Sequence, residues 1–394
     1  MARIRTTHVG SLIRPGELIP FLRKIDRGEP YDEDAYQACL RDSVRAVVQS
    51  QRDAGVDVVS DGEFGKSAWN FYVYERLGGI ELRPHPPGEG GFTVETGATD
   101  WARFPEFYAE YFAKEQEYAI PGGDFACVGP VTYTGHEVIQ RDIANLKAAM
   151  QAAGAEEGFL PVVAPASCFP KLIDEHYGSP EAALRGVAEA LREEYSAIVD
   201  SGLYLQIDDA YIPYMYDVLV PPGTMEDYRA WARPQIDALN HALEGIPRDR
   251  VRYHVCWGSW NGPHSNDVAM RDIIDLVLQV NAGTYLFEAA NPRHEHEWRI
   301  WEDVELPAGK TIAPGVISHA TNVVEHPELI AERLERFGRL VGFDNVMAST
   351  DCGFAQGPYI QRVHESIQWA KLHSLAEGAQ LASSTSSAGG VISV

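Results

Sequence analysis

Three short segments of the chain each place a metal-ligand side chain at the end of a strand-like run: Tyr253-His254-Val255-Cys256, Phe287-Glu288-Ala289 and Asp351-Cys352-Gly353. Together they offer one imidazole, two thiolates and one carboxylate, the ligand set of a tetrahedral zinc site. Residues two apart on a strand face the same side, so His254 and Cys256 can serve one ion. Zinc held by two thiolates is suited to binding a third sulfur, from a substrate thiol, and keeping it reactive at neutral pH. The chemistry indicated is thiol alkylation. Taken alone, His254 and Cys256 could equally be a core histidine beside a packed cysteine; Cys352 and Glu288 at two further strand ends shift the balance to metal. His264, His294 and His296 form a rival set in polar loops, where no metal role is expected.

A second constellation is acidic. Glu63 lies in Asp61-Gly62-Glu63-Phe64-Gly65 and Asp208 in Gln206-Ile207-Asp208-Asp209-Ala210. Carboxylates aimed into a shared mouth act as general bases or hold an ammonium group through charge-assisted hydrogen bonds. For Asp209, capping the next helix or pairing with an arginine stands level with a functional role.

The elements that must position these groups follow a βα rhythm. Strand-like runs occur at 4–9, 56–60, 124–131, 160–164, 203–207, 251–256, 284–288, 310–316 and 345–349, with amphipathic stretches between most of them. That alternation implies a parallel sheet with helices outside. An open doubly wound sheet would carry a glycine-rich phosphate loop after its first strand, and none occurs. Instead Ser11, Glu63, Asp208, His254, Cys256, Glu288 and Cys352 stand at the carboxyl ends of successive strands, which a (β/α)8 TIM barrel gathers over one mouth. Nine runs for eight strands leave one over, and 160–164 is the one set aside. Residues 1–381 are read as a single barrel. It carries a long irregular insertion at 83–123, after the second strand, which is rich in Pro, Gly and aromatics and expected to be a lid or a subunit contact. Residues 382–394 read as a Ser/Gly-containing tail.

Composition bounds the function. With 45% hydrophobic and 23% charged residues, a globular protein with a full core is expected. No run of about 18 apolar residues would span a membrane. The N-terminus goes straight into a strand without the apolar core of a signal peptide, so a cytoplasmic location is expected. A net charge of −24 repels nucleic acid and anionic lipid. Five scattered cysteines do not make a disulfide scaffold; Cys39 and Cys127 read as inert packed thiols.

The chain resembles the catalytic barrel of the cobalamin-independent methionine synthases. The residues that carry the resemblance are Thr7-His8-Val9-Gly10-Ser11, Asp61-Gly62-Glu63, Gly129-Pro130-Val131-Thr132 and Gln206-Ile207-Asp208-Asp209-Ala210, followed by His254-Val255-Cys256, Phe287-Glu288, Pro314-Gly315-Val316 and Asp351-Cys352-Gly353. They occur in family order from about residue 3 to 358. The resemblance implies zinc on His254, Cys256, Glu288 and Cys352. It also implies that Glu63 and Asp208 receive the amino group of homocysteine, with Gly10 and Ser11 near its carboxylate. His319 is the shifted counterpart of the family histidine after Pro-Gly-Val and would protonate the leaving group.

The chain also departs from the family pattern. It has no room for a second, N-terminal barrel, and Tyr133-Thr134-Gly135-His136 stands where folate-using members carry a tryptophan against the pterin. Asp209 replaces a Glu-Pro. The expected function is a zinc-dependent S-methyltransferase acting on homocysteine, with 5-methyltetrahydrofolate or a corrinoid protein as donor and homo-oligomerisation open. The alternative within the same chemistry is alkyl transfer to another thiol, as in epoxyalkane:coenzyme M transferases, for which Lys66 and Arg14 would supply cations. A zinc hydrolase and a non-catalytic zinc or methyl-carrier binding protein are the readings from other classes. Trp257, Trp260 and Tyr211 are candidates for a donor pocket, with plain packing as the alternative.

Overall fold

Eight short parallel strands form the centre of the computed structural model, which describes residues 3–84, 98–115, 123–168 and 173–388. In chain order the strands are β1 (Arg5–Thr6), β2 (Val58–Val59), β3 (Leu77–Pro84), β4 (Gly123–Tyr133), β5 (Glu157–Val163), β6 (Ile173–Asp174), β7 (Tyr204–Asp209), β8 (Val251–Val255), β9 (Thr284–Phe287), β10 (Thr311–Ile317) and β11 (Met347–Thr350). The barrel runs β1-β11-β10-β9-β8-β7-β5-β2, and β3, β4 and β6 form a separate sheet. Closure between β1 and β2 rests on Asp57 N–H donating to the Thr6 carbonyl at 3.1 Å and on the Thr7 hydroxyl donating to the Val58 carbonyl at 3.2 Å. The expected (β/α)8 barrel with an insertion after its second strand is what the chain forms.

One strand assignment needs correction. The run at 160–164, set aside above, belongs to β5, a central barrel strand between β2 and β7. The run at 124–131 belongs to β4, which pairs antiparallel with β3 outside the barrel. The physical distinction lies in burial. Phe159 packs inside the barrel while Leu160 and Val162 pack against the outer helices. A parallel strand covered on both faces reads as a continuous apolar run, which is how 158–164 reads.

The insertion is only partly irregular. Besides β3 and β4 it contains the helices Thr99–Arg103 and Pro105–Glu115, while residues 85–97 and 116–122 lie outside the described residues. Helix Glu365–Ala388 reaches into the stretch read as a tail, whose residues 389–394 are also outside the described set. No helix among the described residues is long and apolar enough to cross a membrane.

The outer helices are set by local signals. Asp32, Ser179 and Thr224 cap the helices Glu33–Asp53, Pro180–Asp200 and Met225–Ala242 by accepting main-chain N–H bonds, Thr224 in a reciprocal capping box with Asp227. Two cores result. The larger lies between strands and helices. The smaller fills the barrel with Val9, Val58, Phe159, Leu286, Ala313 and Met347, and ends at Cys256 and Cys352.

A buried ion-pair cluster ties the root of the insertion to this shell. Arg76, just before β3, reaches Glu194 at 2.5 Å and Asp142 at 2.9 Å, all three buried. Arg76→Met leaves the Glu194 carboxylate buried without its cation, and we expect a loss of about 3–5 kcal/mol in urea unfolding. An unchanged midpoint would contradict that role.

Candidate metal centre

The β7–β8 register sets Asp208 opposite His254. Their side chains leave the same face as neighbours, and His254 Nδ1 donates to Asp208 Oδ1 at 3.0 Å. Gln206, two residues earlier on that face, donates to the same oxygen at 2.9 Å and to the Val9 carbonyl. With Nδ1 committed to the carboxylate, Nε2 is the free ligand atom. It is buried and has no hydrogen-bond partner among the described residues.

The free face of His254 meets two thiols. The Cys256 and Cys352 sulfurs are 3.5 Å apart, and the ligand atoms of all three residues lie within 4.8 Å of one another. This grouping fits a thiophilic ion of the zinc type, because a buried imidazole nitrogen left without a donor and two juxtaposed sulfurs lose nothing by coordinating it. In the absence of a cation the site is electrostatically frustrated. The Cys256 thiol is pushed well up by its contact with Cys352, by burial and by the Glu288 charge. Burial opposes a charged His254, but Asp208, Cys352 and Glu288 outweigh it and hold that imidazole up at about 9. A divalent cation takes the place of these protons.

Glu288, expected as the fourth ligand, stands beside the cluster, and its oxygens are not among the atoms grouped within that distance. Oε1 accepts from the Trp257 amide at 3.0 Å and Oε2 from Asn291 Nδ2 at 2.6 Å. Asp351 joins the ends of β11 and β9 by accepting from the amides of Ala289 and Ala290 at 2.8 Å each. Burial and the neighbouring Glu288 raise its carboxyl to about 8.

Glu63 occupies a left-handed backbone conformation at φ 61°, directly after Gly62 at φ 70°. Such a conformation costs a non-glycine residue on the order of 1–3 kcal/mol and persists where the surroundings impose it. Here the Asp61 carboxylate accepts the Glu63 amide at 2.9 Å. The side chain is buried, Oε2 has no hydrogen-bond partner among the described residues, and Oε1 lies against Gly10. A Cβ on Gly10 would sit 3.2 Å from that oxygen and 2.8 Å from Pro161. Burial, reinforced by Asp208 and Asp61 and opposed by Lys66 and Arg14, raises Glu63 to about 7. Ser11 sits against the other side of the site, and its hydroxyl would lie 1.8 Å from a Cβ on Gly353, the residue after Cys352.

The remaining candidates separate by the partners they keep. Arg14 spends its guanidinium on the carbonyls of Ala355 and Glu63, at 2.8 and 2.9 Å, and Lys66 donates to the Pro161 carbonyl while lying 4.2 Å over the Tyr72 ring. Asp209 faces outward and accepts from Ser167 at 2.8 Å and Tyr253 at 3.0 Å, a structural role. His264 and His294 share Asp267 at 3.2 and 3.1 Å, and neither belongs to the metal grouping; His296 is exposed. His319 is buried, and burial, Arg362 and the histidines 254 and 264 depress it to about 3. It is a neutral imidazole at pH 7. Trp257 is packed, stacking at 4.1 Å on His294, while Trp260 is held between Gly258 and Gly262. Tyr211 lies edge-on to Tyr214, which in turn lies edge-on to Trp260.

Gln206, Asp351 and Asn291 received no role from the sequence. Gln206 was reachable, because strand parity puts it on the face of Asp208. Asp351 and Asn291 act through turns after strand ends, which leave no periodic signal.

No family model matches the chain. Among curated proteins it is 24% identical over 410 residues to 2-hydroxypropyl-CoM lyase of Xanthobacter autotrophicus, covering 96% of this chain and 94% of that one. It is likewise 24% identical over 379 residues to methionine synthase of Saccharolobus solfataricus, covering 95% and 94%. The solved B12-independent methionine synthase from Shewanella sp. W3-18-1, in complex with selenomethionine, has the same fold. Its TM-score is 0.72 at 20% identity, covering 98% of this chain and 100% of that one. Along nearly its whole length the chain is similar to these proteins, and it shares the barrel fold of the B12-independent methionine synthase. The described residues of this chain form one eight-stranded barrel with its inserted three-stranded sheet.

Cys352→Ser removes one of the two sulfurs from this grouping, and we expect the purified variant to lose most of its bound zinc by elemental analysis. Full retention would remove Cys352 from the ligand set.

Proposed function

We propose that the protein is a zinc-dependent S-methyltransferase whose acceptor is an amino-acid thiol, homocysteine in the first instance. The observation that carries this reading is the His254–Cys256–Cys352 grouping, with His254 Nε2 buried and unpartnered in front of two sulfurs 3.5 Å apart. A bound zinc ion supplies one thing, a coordinated thiol that is deprotonated at neutral pH. Everything else falls to the residues of the chain.

Asp208 holds the His254 ring so that Nε2 faces the sulfurs. Glu63 stands with Oε1 against Gly10 and Oε2 unpartnered, and an ammonium group bound there satisfies Oε2 and relieves its burial. Gly10 and Ser11 stand close by for the substrate carboxylate. The deprotonated sulfur then attacks a methyl carbon in line; a sulfur–carbon bond forms as the methyl–donor bond breaks, and the bonding pair leaves with the donor. His319, neutral and buried near His254, does not arrive carrying a proton for the leaving group.

A sulfonate thiol such as coenzyme M is the alternative acceptor, since one relative is a 2-hydroxypropyl-CoM lyase. It would need free cations, and those of Arg14 and Lys66 are directed at main-chain carbonyls. The acids around Glu63 favour the amine. The donor, 5-methyltetrahydrofolate or a methylated corrinoid protein, is a question for assay of methionine formation with each.

Calorimetric titration tests the acceptor. Homocysteine should bind at least about tenfold more tightly than coenzyme M, the factor one lost charged hydrogen bond represents. Glu63 titrates near 7 and holds an ammonium only when ionised. Homocysteine affinity should therefore fall as pH drops from 8 to 6, and Glu63→Gln should flatten that dependence. Equal affinity for both thiols, or a pH profile unmoved in the variant, would overturn the amine-binding role.

A further inference from the structure

The three residues of the metal grouping are nearly sealed, at 2%, 4% and 7% exposure for His254, Cys256 and Cys352. Both a thiol and a methyl donor must nevertheless reach them. The described part of the insertion lies on the mouth loops and is fastened to three of them. Toward the loops after β7 and β8, the fastening is Asp100. Its buried carboxylate accepts from the Ser265 amide at 3.1 Å, from the Ser265 hydroxyl, and from Tyr108 OH at 3.1 Å. Its own amide donates to Asp217 Oδ1 at 3.2 Å, and Asn266 bridges Asp217 at 2.9 Å to the Val220 carbonyl at 2.8 Å. On the far side Arg362, from the loop after β11, donates to Tyr111 OH at 2.8 Å.

The segment gripped by Asp100 begins at the metal grouping. It leaves β8 through Cys256, and Asp267 anchors its far end by holding His264 and His294. His294 stacks on Trp257, the residue after Cys256, whose amide holds Glu288. Between these anchors Trp260 stands T-shaped to Tyr214, and Gly262 lies against the Tyr108 hydroxyl. Asp100 therefore holds the outer end of a loop whose inner end carries a metal-ligand sulfur.

The chemistry of the fastening suits release. Asp100 and Asp217 are buried carboxylates in one network, and neither has a Lys or Arg ion-pair partner among the described residues. Opening exchanges their hydrogen bonds for hydration by water, which costs less than separating a buried ion pair. A fastening built on an Arg–carboxylate pair would be much harder to open.

We propose that Asp100 is a latch: a positioning residue that closes the segment 98–111 over the metal mouth and releases it together with the loop 257–266 to admit substrates. The latch rests on the contacts of Asp100 alone, and chelation of zinc tests it only together with the proposed metal site.

Hydrogen–deuterium exchange of the full chain tests it directly. Asp100→Ala should raise exchange on the order of tenfold in 98–111 and 257–268, the factor for one lost hydrogen bond to a charged group, and leave the barrel strands unchanged. In the zinc-loaded protein, extraction of the metal by a chromogenic chelator should accelerate by a similar factor at an unchanged thermal midpoint. Exchange identical to the parent, or raised throughout the barrel, would overturn the latch. If Asp100→Ala does not fold, Ser265→Ala decides by the same measurements, with local acceleration supporting the latch and an unchanged profile overturning it. A chain that binds no zinc would defeat the proposed function while leaving the exchange result to judge the latch.

Discussion

The hydrogen bond from His254 to Asp208 is the constraint on which the metal centre depends. Parallel register places the two residues side by side, so the contact is a product of the barrel itself and needs no loop to make it. It decides which ring nitrogen is available and where that nitrogen points. With Gln206 bracing Asp208 from below, the imidazole has one orientation, and its free atom faces two sulfurs. A histidine on a flexible loop would have to be ordered by the metal each time it bound.

Around this bond the mouth is divided by charge. On one side are the thiols, Glu288 and Asp351, acids crowded so closely that Cys256 and Asp351 hold their protons tightly, a setting in which a divalent cation takes the place of thiol protons. On the other, Glu63 stands beside Gly10 with an unmet hydrogen-bonding oxygen and a strained backbone that Asp61 enforces. The nearby cations do not cancel this acidity. Arg14 and Lys66 serve main-chain carbonyls, and Arg252 lies deeper, 3.8 Å over the Phe159 ring, where burial lowers it to about 9 despite its attraction to Asp208. This division is what the proposed acceptor, a thiol that carries an ammonium group, requires at its two ends.

Much of this was legible in the sequence because strands write their side-chain directions in a period of two. His254 and Cys256, and the ends of β9 and β11, could be placed at one mouth from spacing alone. The same parity sends Asp208 inward and Asp209 outward, which separates a metal-supporting residue from one bonded to Ser167 and Tyr253. Three things were not legible. The strand at 160–164 is buried on both faces and lacks polar–apolar alternation, so nothing in the run itself ranks it above the antiparallel β4 as a barrel strand. Glu288 could be placed at the mouth, but its turn toward Trp257 and Asn291 depends on loop geometry that no spacing encodes. Asp100 was hidden for the same reason, since Asp217 and Ser265, which it joins, lie more than a hundred residues away.

Zinc held on two sulfurs and one imidazole leaves a place for a substrate thiol to join them. Zinc-edge X-ray absorption of the loaded protein, recorded without and with homocysteine, measures this most directly. The account predicts two sulfur neighbours alone and a third on adding homocysteine. A sulfur count that homocysteine does not change, or a zinc ion with no sulfur neighbours, would contradict it.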